Sequence, residues 1–106
     1  MAANVETITV TAAGRGSVHN TLDGTNADAI TISVAVGQKV LATLINRSAG
    51  DIWFRLDGTA AATTDGSYHL GAGKDYPFIV NGASVVSIFA GSALAYSLQT
   101  APATDG

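Results

Sequence analysis

The sequence predicts an all-β fold: an antiparallel β-sandwich or jelly-roll-like barrel of eight or nine short strands. Three observations lead there. Apolar residues alternate with small polar ones at a period of two, the repeat of a strand with one face buried. Glycine, asparagine and aspartate turn signals interrupt these runs at short intervals. Nowhere does a three-to-four spacing of apolar residues persist for ten residues, so helices longer than a single turn are not expected.

The elements follow in order. In residues 5–11, Ile8 and Val10 alternate with Thr7, Thr9 and Thr11. Residues 17–22 are a weaker strand candidate. In residues 29–36, Ile30, Ile32, Val34 and Val36 alternate with Thr31, Ser33 and Ala35, which describes a half-buried strand with a small polar face. Residues 39–47 are apolar on both parities through Val40, Leu41, Leu44 and Ile45, which predicts a central strand covered on both sides. Residues 51–57 set Ile52, Phe54 and Leu56 against Trp53 and Arg55. Residues 67–70, 76–80, 84–90 and 94–100 complete the set. Asn81-Gly82 is the strongest hairpin signal, because a type I′ turn needs two residues that tolerate positive φ. Leu22-Asp23-Gly24-Thr25 recurs as Leu56-Asp57-Gly58-Thr59 with unmatched flanks, which indicates a reused strand-ending turn and not a solenoid repeat.

At 106 residues the chain is expected to be one domain, residues 1–106, with arm-like ends near 1–4 and 101–106. Charged residues are 12% of the total, about half the globular average. A weakly charged chain suits packing against copies of itself or a scaffold. Five Lys and Arg against eight Asp and Glu leave a net charge of −3, which argues against a nucleic-acid surface. No cysteine is present, so disulfides and thiolate sites are excluded. The first residues lack a basic then apolar leader pattern, and the apolar stretch 85–98 is too short and too interrupted to cross a bilayer. No secretory address and no membrane partner are therefore expected.

Chemistry-bearing patterns are sparse. Ser17 and His19, and Ser67 and His69, are each two apart on a strand and so share a face, which reads as polar surface more readily than as a nucleophile and its base. Most acids are Asp beside glycine or at strand ends, where the carboxylate caps turns. Asp23, Asn26 and Asp28 offer oxygen ligands in one loop, but the calcium-loop pattern is missing, so no metal is assigned. Neither Gly14-Arg15-Gly16-Ser17 nor Gly71-Ala72-Gly73-Lys74 has phosphate-loop spacing. No catalytic residue and no cofactor are expected. Phe54, Phe78 and Tyr96 share parity with aliphatic neighbours and belong to the core by default. Trp53 lies on the opposite face beside Arg55, a pairing typical of interface anchors.

From Val40 onward the chain resembles a known family. The run Val40 to Asn46 is followed by Asp51-Ile52-Trp53-Phe54-Arg55-Leu56-Asp57-Gly58-Thr59-Ala60-Ala61, then Gly66-Ser67-Tyr68-His69-Leu70-Gly71-Ala72-Gly73, then Val85-Val86-Ser87-Ile88-Phe89-Ala90. This is similar to small virion proteins of tailed bacteriophages, especially capsid-decoration and head accessory β-domains. The resemblance covers about the last sixty residues, with Asn46, Arg55, Asp57, Gly58 and Leu70 to Gly73 at the matching positions. It implies a structural virion protein on the capsid surface, made in the host cytoplasm. The partner would be the major capsid protein, and a homo-oligomer, with a trimer favoured, would bind it without chemistry. The contact residues expected are Trp53, Arg55 and Tyr76, together with Ala2, Ala3, Asn4, Val5 and Glu6. The alternative is a tail or baseplate module that binds host-surface glycans, with Trp53, Tyr68 and Tyr76 as its stacking platform.

Overall fold

The computed structural model describes residues 4–10, 16–34, 38–56, 61, 67–81 and 84–102. They form nine strands: β1 (Val5–Thr9), β2 (Gly16–Thr21), β3 (Asp28–Ser33), β4 (Lys39–Asn46), β5 (Ile52–Arg55), β6 (Tyr68–Leu70), β7 (Asp75–Asn81), β8 (Ser84–Phe89) and β9 (Ala95–Pro102). One sheet has the order β1-β3-β8-β5-β6, the other β2-β9-β4-β7. The two sheets make a β-sandwich. Alternation decides what lies between them. Ile30, Ile32, Ile52, Phe54, Val86 and Ile88 point inward from the first sheet; Val18, Val40, Ala42, Leu44, Val80 and Leu98 point inward from the second.

Pairing differs from the expectation in three places. The candidate hairpin at Asn81-Gly82 joins β7 of one sheet to β8 of the other, so these strands do not pair; Gly82 and Ala83 themselves lie outside the described residues. Burial explains the choice. Val86, Ser87 and Ile88 are all buried and take neighbours on both sides, β3 and β5, whereas β7 is an edge. Second, β1 runs parallel to β3. The chain crosses to the other sheet for β2 and returns, and two reversals restore the original direction. Third, β4 is central within its sheet but not covered on both faces: Val40, Ala42, Leu44 and Asn46 are buried, while Leu41 is exposed and Thr43 and Ile45 are half-buried. Of the ends expected to be arm-like, residues 1–3 and 103–106 lie outside the described residues. Asn4 is tied to β3, and β9 continues through Ala101 and Pro102.

The two flanks of the sandwich are unlike. At the β1/β2 flank the layers touch. A Cβ on Gly16 would lie 2.5 Å from Ile8 Cγ2, so the closeness of the sheets there depends on a residue with no side chain. Gly16→Ala is expected to cost about 1–3 kcal/mol through overpacking, measured as a lower midpoint in urea with an unchanged slope. At the other flank lie the short edge strand β6 and the edge strand β7. Asn46 N–H donates to Lys74 O at 2.9 Å, which sets the phase of the β4/β7 ladder. The backbone groups of Tyr76, Phe78 and Val80 therefore face β4, and those of Asp75, Pro77 and Ile79 face away. Pro77 thus costs the ladder no hydrogen bond and removes a donor from the open edge, which discourages addition of a further strand.

Candidate functional site

The open flank carries an aromatic cluster. Phe54 from β5 is buried; Tyr68 from β6 and Tyr76 from β7 are 57% and 37% exposed. All three are inward-facing positions, and at the sandwich's margin the inward direction ends in solvent. Phe54 has ring centroids 5.5 Å from Tyr68 and 5.0 Å from Tyr76, and Phe78 lies 6.1 Å from Tyr76. The two tyrosine rings are 6.4 Å apart and nearly parallel, at 15°. Contacts of this kind prefer offset or tilted geometry, and they hold the exposed rings on a buried base. The connection from β6 to β7 is a tight turn, with Lys74 N–H donating to Gly71 O at 3.0 Å.

Asn46 anchors this flank from behind. It is fully buried. Its Nδ2 donates to the carbonyls of Gly50, Leu70 and Gly71 at 2.8, 3.0 and 3.1 Å, and its Oδ1 accepts from Ser48 N–H and Ser48 Oγ–H at 3.0 and 2.6 Å. One side chain thereby ties the end of β4, the turn after it, and the turn that sets β6 against β7.

The other expected contact residues do not gather here. Trp53 and Arg55 point out of the first sheet, away from Tyr68 and Tyr76, so the three-ring platform is split between opposite faces of one sheet. Trp53 is half-buried, 4.9 Å from the His69 ring, and His69 Nε2 is 3.3 Å from Asp51 Oδ1. Part of this outer face is covered, because Ala61 N–H donates to the buried Ser87 Oγ at 2.8 Å. Asn4, Val5 and Glu6 lie at the opposite flank, and Ala2 and Ala3 are outside the described residues. Val5 is exposed, but Asn4 and Glu6 are engaged within the fold. Asn4 N–H and Nδ2 donate to Asp28 at 2.9 Å each, and Asn20 Nδ2 donates to Glu6.

That flank holds a second buried polar knot. Asp28 is fully buried and accepts from Asn4 and from the Tyr96 hydroxyl at 2.7 Å; Asn20 Nδ2 in turn donates to Tyr96 Oη at 3.3 Å. Burial, and after it the hydrogen bond given to Asp28, push the Tyr96 phenol well above its ordinary range. Asp23, by contrast, caps its own loop. It accepts from Asn26 N–H and Thr25 N–H at 2.7 Å each and from Asn26 Nδ2 at 3.0 Å, and these bonds, Asn26's first, lower its carboxyl to about 2. The carboxylates of Asp23 and Asp28 are thus each turned onto donors of the chain itself. The loop lies close to its neighbour: Gly24, at φ +85°, would place a Cβ 3.0 Å from the backbone of Ser92.

Sequence spacing missed one Ser–His contact. His19 Nδ1 is 2.7 Å from Oγ of Ser97, its cross-strand neighbour on β9, and not bonded to Ser17. Ser97 is only 1% exposed, so its hydroxyl is out of reach of a substrate carbonyl. Among the described residues no group of three His, Asp or Glu side chains could hold a metal ion, and no pocket opens. Asn46 and Asp28 carried no local signal as buried anchors, since Asn and Asp beside glycine or at strand ends look alike whether they cap a turn or sit in a core.

No protein-family model and no curated protein matches the sequence. Solved structures do share the architecture. The chain is similar to the pre-peptidase C-terminal domain of a collagenase from Bacillus anthracis, with TM-score 0.60 and 14% identity over 94% of this chain and 97% of that one. It is also similar to PliG of Aeromonas hydrophila, a periplasmic inhibitor of g-type lysozyme, with TM-score 0.51 and 12% identity over 94% and 98%. At such identities the likeness is one of fold: this chain is a β-sandwich of the size of those whole domains.

Proposed function

We propose that this chain is a structural virion protein of a tailed bacteriophage, a capsid-decoration module that docks on the lattice of the major capsid protein and does no chemistry. The reading draws on the resemblance over residues 40–90 and, chiefly, on the exposed Tyr68–Tyr76 pair. Two rings held on Phe54 and Phe78 lose little freedom when a partner covers them, and tyrosines are over-represented among residues that dominate binding. On a repeating lattice, modest contacts add through effective concentration. The fold likenesses bear on architecture alone.

Purified virions should contain the chain in many copies, and isolated capsids should bind it. Tyr68→Ala with Tyr76→Ala is expected to weaken capsid binding by about 10- to 100-fold, as for loss of central aromatic contacts. Absence from virions, or undiminished binding by the double variant, would refute the reading. The near-parallel rings favour one other possibility, a tail or baseplate module that stacks host-surface sugars on Tyr68 and Tyr76, with Trp53 excluded by its orientation. A glycan array separates the two.

A further inference from the structure

We infer that Tyr68 and Tyr76 form an oxidative modification site, at which a one-electron oxidant joins the two rings as an intramolecular dityrosine. Their placement singles them out. Tyr68 stands on β6, an edge of the first sheet, and Tyr76 on β7, an edge of the second. The ring centroids are 6.4 Å apart and the planes are 15° from parallel. That separation lies within the range of about 4.5–7 Å at which aromatic side chains are in contact. Both rings reach solvent, so an oxidant too large to enter the fold still meets them. Phe54 packs against both, at 5.5 and 5.0 Å, and keeps them on one side of the flank. The third tyrosine, Tyr96, is fully buried and gives its hydroxyl to Asp28. Trp53 faces the other side of its sheet, against His69.

The chemistry needs only the two phenols and the oxidant. Each tyrosine gives up one electron and its phenolic proton and becomes a phenoxyl radical, whose unpaired spin is shared with the ring carbons ortho to oxygen. One carbon–carbon bond forms between an ortho carbon of Tyr68 and an ortho carbon of Tyr76. The hydrogens on those two carbons leave as protons, the oxygens take up protons, and both phenols are restored. The chain has then lost two hydrogen atoms. With a haem peroxidase as carrier and hydrogen peroxide as terminal oxidant, the peroxide takes up the two electrons and two protons and leaves as two waters. The bond requires the ortho carbons to touch, and exposed side chains such as Tyr68 change rotamer within picoseconds to nanoseconds. The fold holds the second phenol beside the first at a millimolar or higher effective concentration, so a radical on one ring meets the other before it meets another copy of the chain. The product ties β6 to β7, and so one sheet to the other, at the open flank. The chain contains no cysteine, so no disulfide can make that link.

The test treats the purified full chain at about 1 μM, far below the effective concentration of tethered groups, with a haem peroxidase and one equivalent of hydrogen peroxide under conditions that couple free tyrosine. No capsid is present, so the outcome is independent of the docking role proposed for the same rings. The expected product is a monomer lighter by two hydrogen atoms, with dityrosine fluorescence, in about 10-fold or greater excess over cross-linked dimer. Lys74 lies between the two tyrosines, so trypsin separates residues 56–74 from 75–106 in the untreated chain and leaves them joined in the product. Tyr68→Phe and Tyr76→Phe each keep an aromatic ring against Phe54 and should retain the far-UV circular dichroism spectrum, and neither should give the lighter monomer. A link from Tyr68 to Tyr96 would survive Tyr76→Phe, so that variant fixes the partner. A wild type that yields mainly cross-linked dimer, tryptic fragments that still separate after treatment, or a lighter monomer from either variant would each overturn the proposal.

Discussion

Asn46→Asp is expected to remove about 3–5 kcal/mol of folding stability at neutral pH, a large fraction of the about 5–15 kcal/mol that such a domain possesses. The reason is local. Three carbonyl oxygens, of Gly50, Leu70 and Gly71, converge on the Nδ2 of a fully buried side chain. A carboxylate there offers no donor to them and adds a negative charge among three negative dipole ends. Asn46→Ala leaves the same carbonyls without Nδ2 and takes the acceptor from Ser48 N–H, while Ser48 Oγ keeps Gly50 O, and it buries no charge; about 2–4 kcal/mol is expected. Urea unfolding followed by tryptophan fluorescence checks both, since Trp53 is on the neighbouring β5. The pH dependence distinguishes them. A carboxyl buried in this site has its pKa raised, so the folded state binds the proton more tightly than the unfolded chain. Asn46→Asp should therefore recover stability relative to wild type as pH falls towards about 4, and Asn46→Ala should not. Equal stability of Asn46→Asp and wild type at pH 7 would mean that the side chain does not hold the flank together.

Asp28→Ala is expected to cost about 3–4 kcal/mol and Tyr96→Phe about 1–3 kcal/mol, and their order is the informative part. Asp28 accepts from Asn4 N–H, Asn4 Nδ2 and the Tyr96 hydroxyl, and Asn4 Nδ2 has a second acceptor in Thr21 O at 3.2 Å. Removal of Asp28 takes the acceptor from Asn4 N–H and from the Tyr96 hydroxyl at once. Tyr96→Phe leaves Asp28 with both bonds from Asn4, so the knot is loosened and not dissolved. Because the residues touch, the double variant should cost less than the sum. Alkaline unfolding supplies a second readout. Tyr96 stays protonated in the native chain at pH values where an unfolded phenol, with a pKa of about 10, ionises. Its contribution is fully present below pH about 10 and is lost as pH rises above it, because the unfolded state then binds fewer protons. Tyr96→Phe should flatten that part of the stability profile. A profile unchanged by the substitution would contradict the burial of the hydroxyl against Asp28.

Both knots serve the difference between the two flanks. Asp28, Tyr96, Asn4 and Asn20 fasten the β1/β2 side, where the sheets approach within reach of Gly16. Asn46 fixes the turns behind β6 and β7, where the sandwich ends in tyrosines. No buried polar side-chain atom among the described residues lacks a partner. Among the described residues, the large exposed apolar side chains are Tyr68 and Tyr76 at the open flank, Leu41 and Ile79 on the outer face of β4 and β7, and Val5 at the closed flank.

The alternation of residues along the chain was enough to determine that it is all-β with eight or nine short strands and, in residues 5–11, 29–36 and 51–57, which parity faces the core. Ile30 and Ile32, Phe54, and Leu98 are buried as their spacing requires, because a strand turns its side chains up and down whatever lies beside it. The outward aim of Trp53 was legible for the same reason. Neighbours were not legible. Period two tells a residue its face but not its partner strand, so the separation of β7 from β8, the parallel β1–β3 pair and the open outer face of β4 emerged only in the assembled sandwich. Polar residues show the same limit. Asp23 and Asp28 stand in one loop sequence, yet the first caps that loop in solvent and the second is buried under Tyr96 from a strand far along the chain. The tyrosine flank likewise depends on which strands become edges. Tertiary pairing alone decides that, because the contacts that settle it join residues distant in sequence.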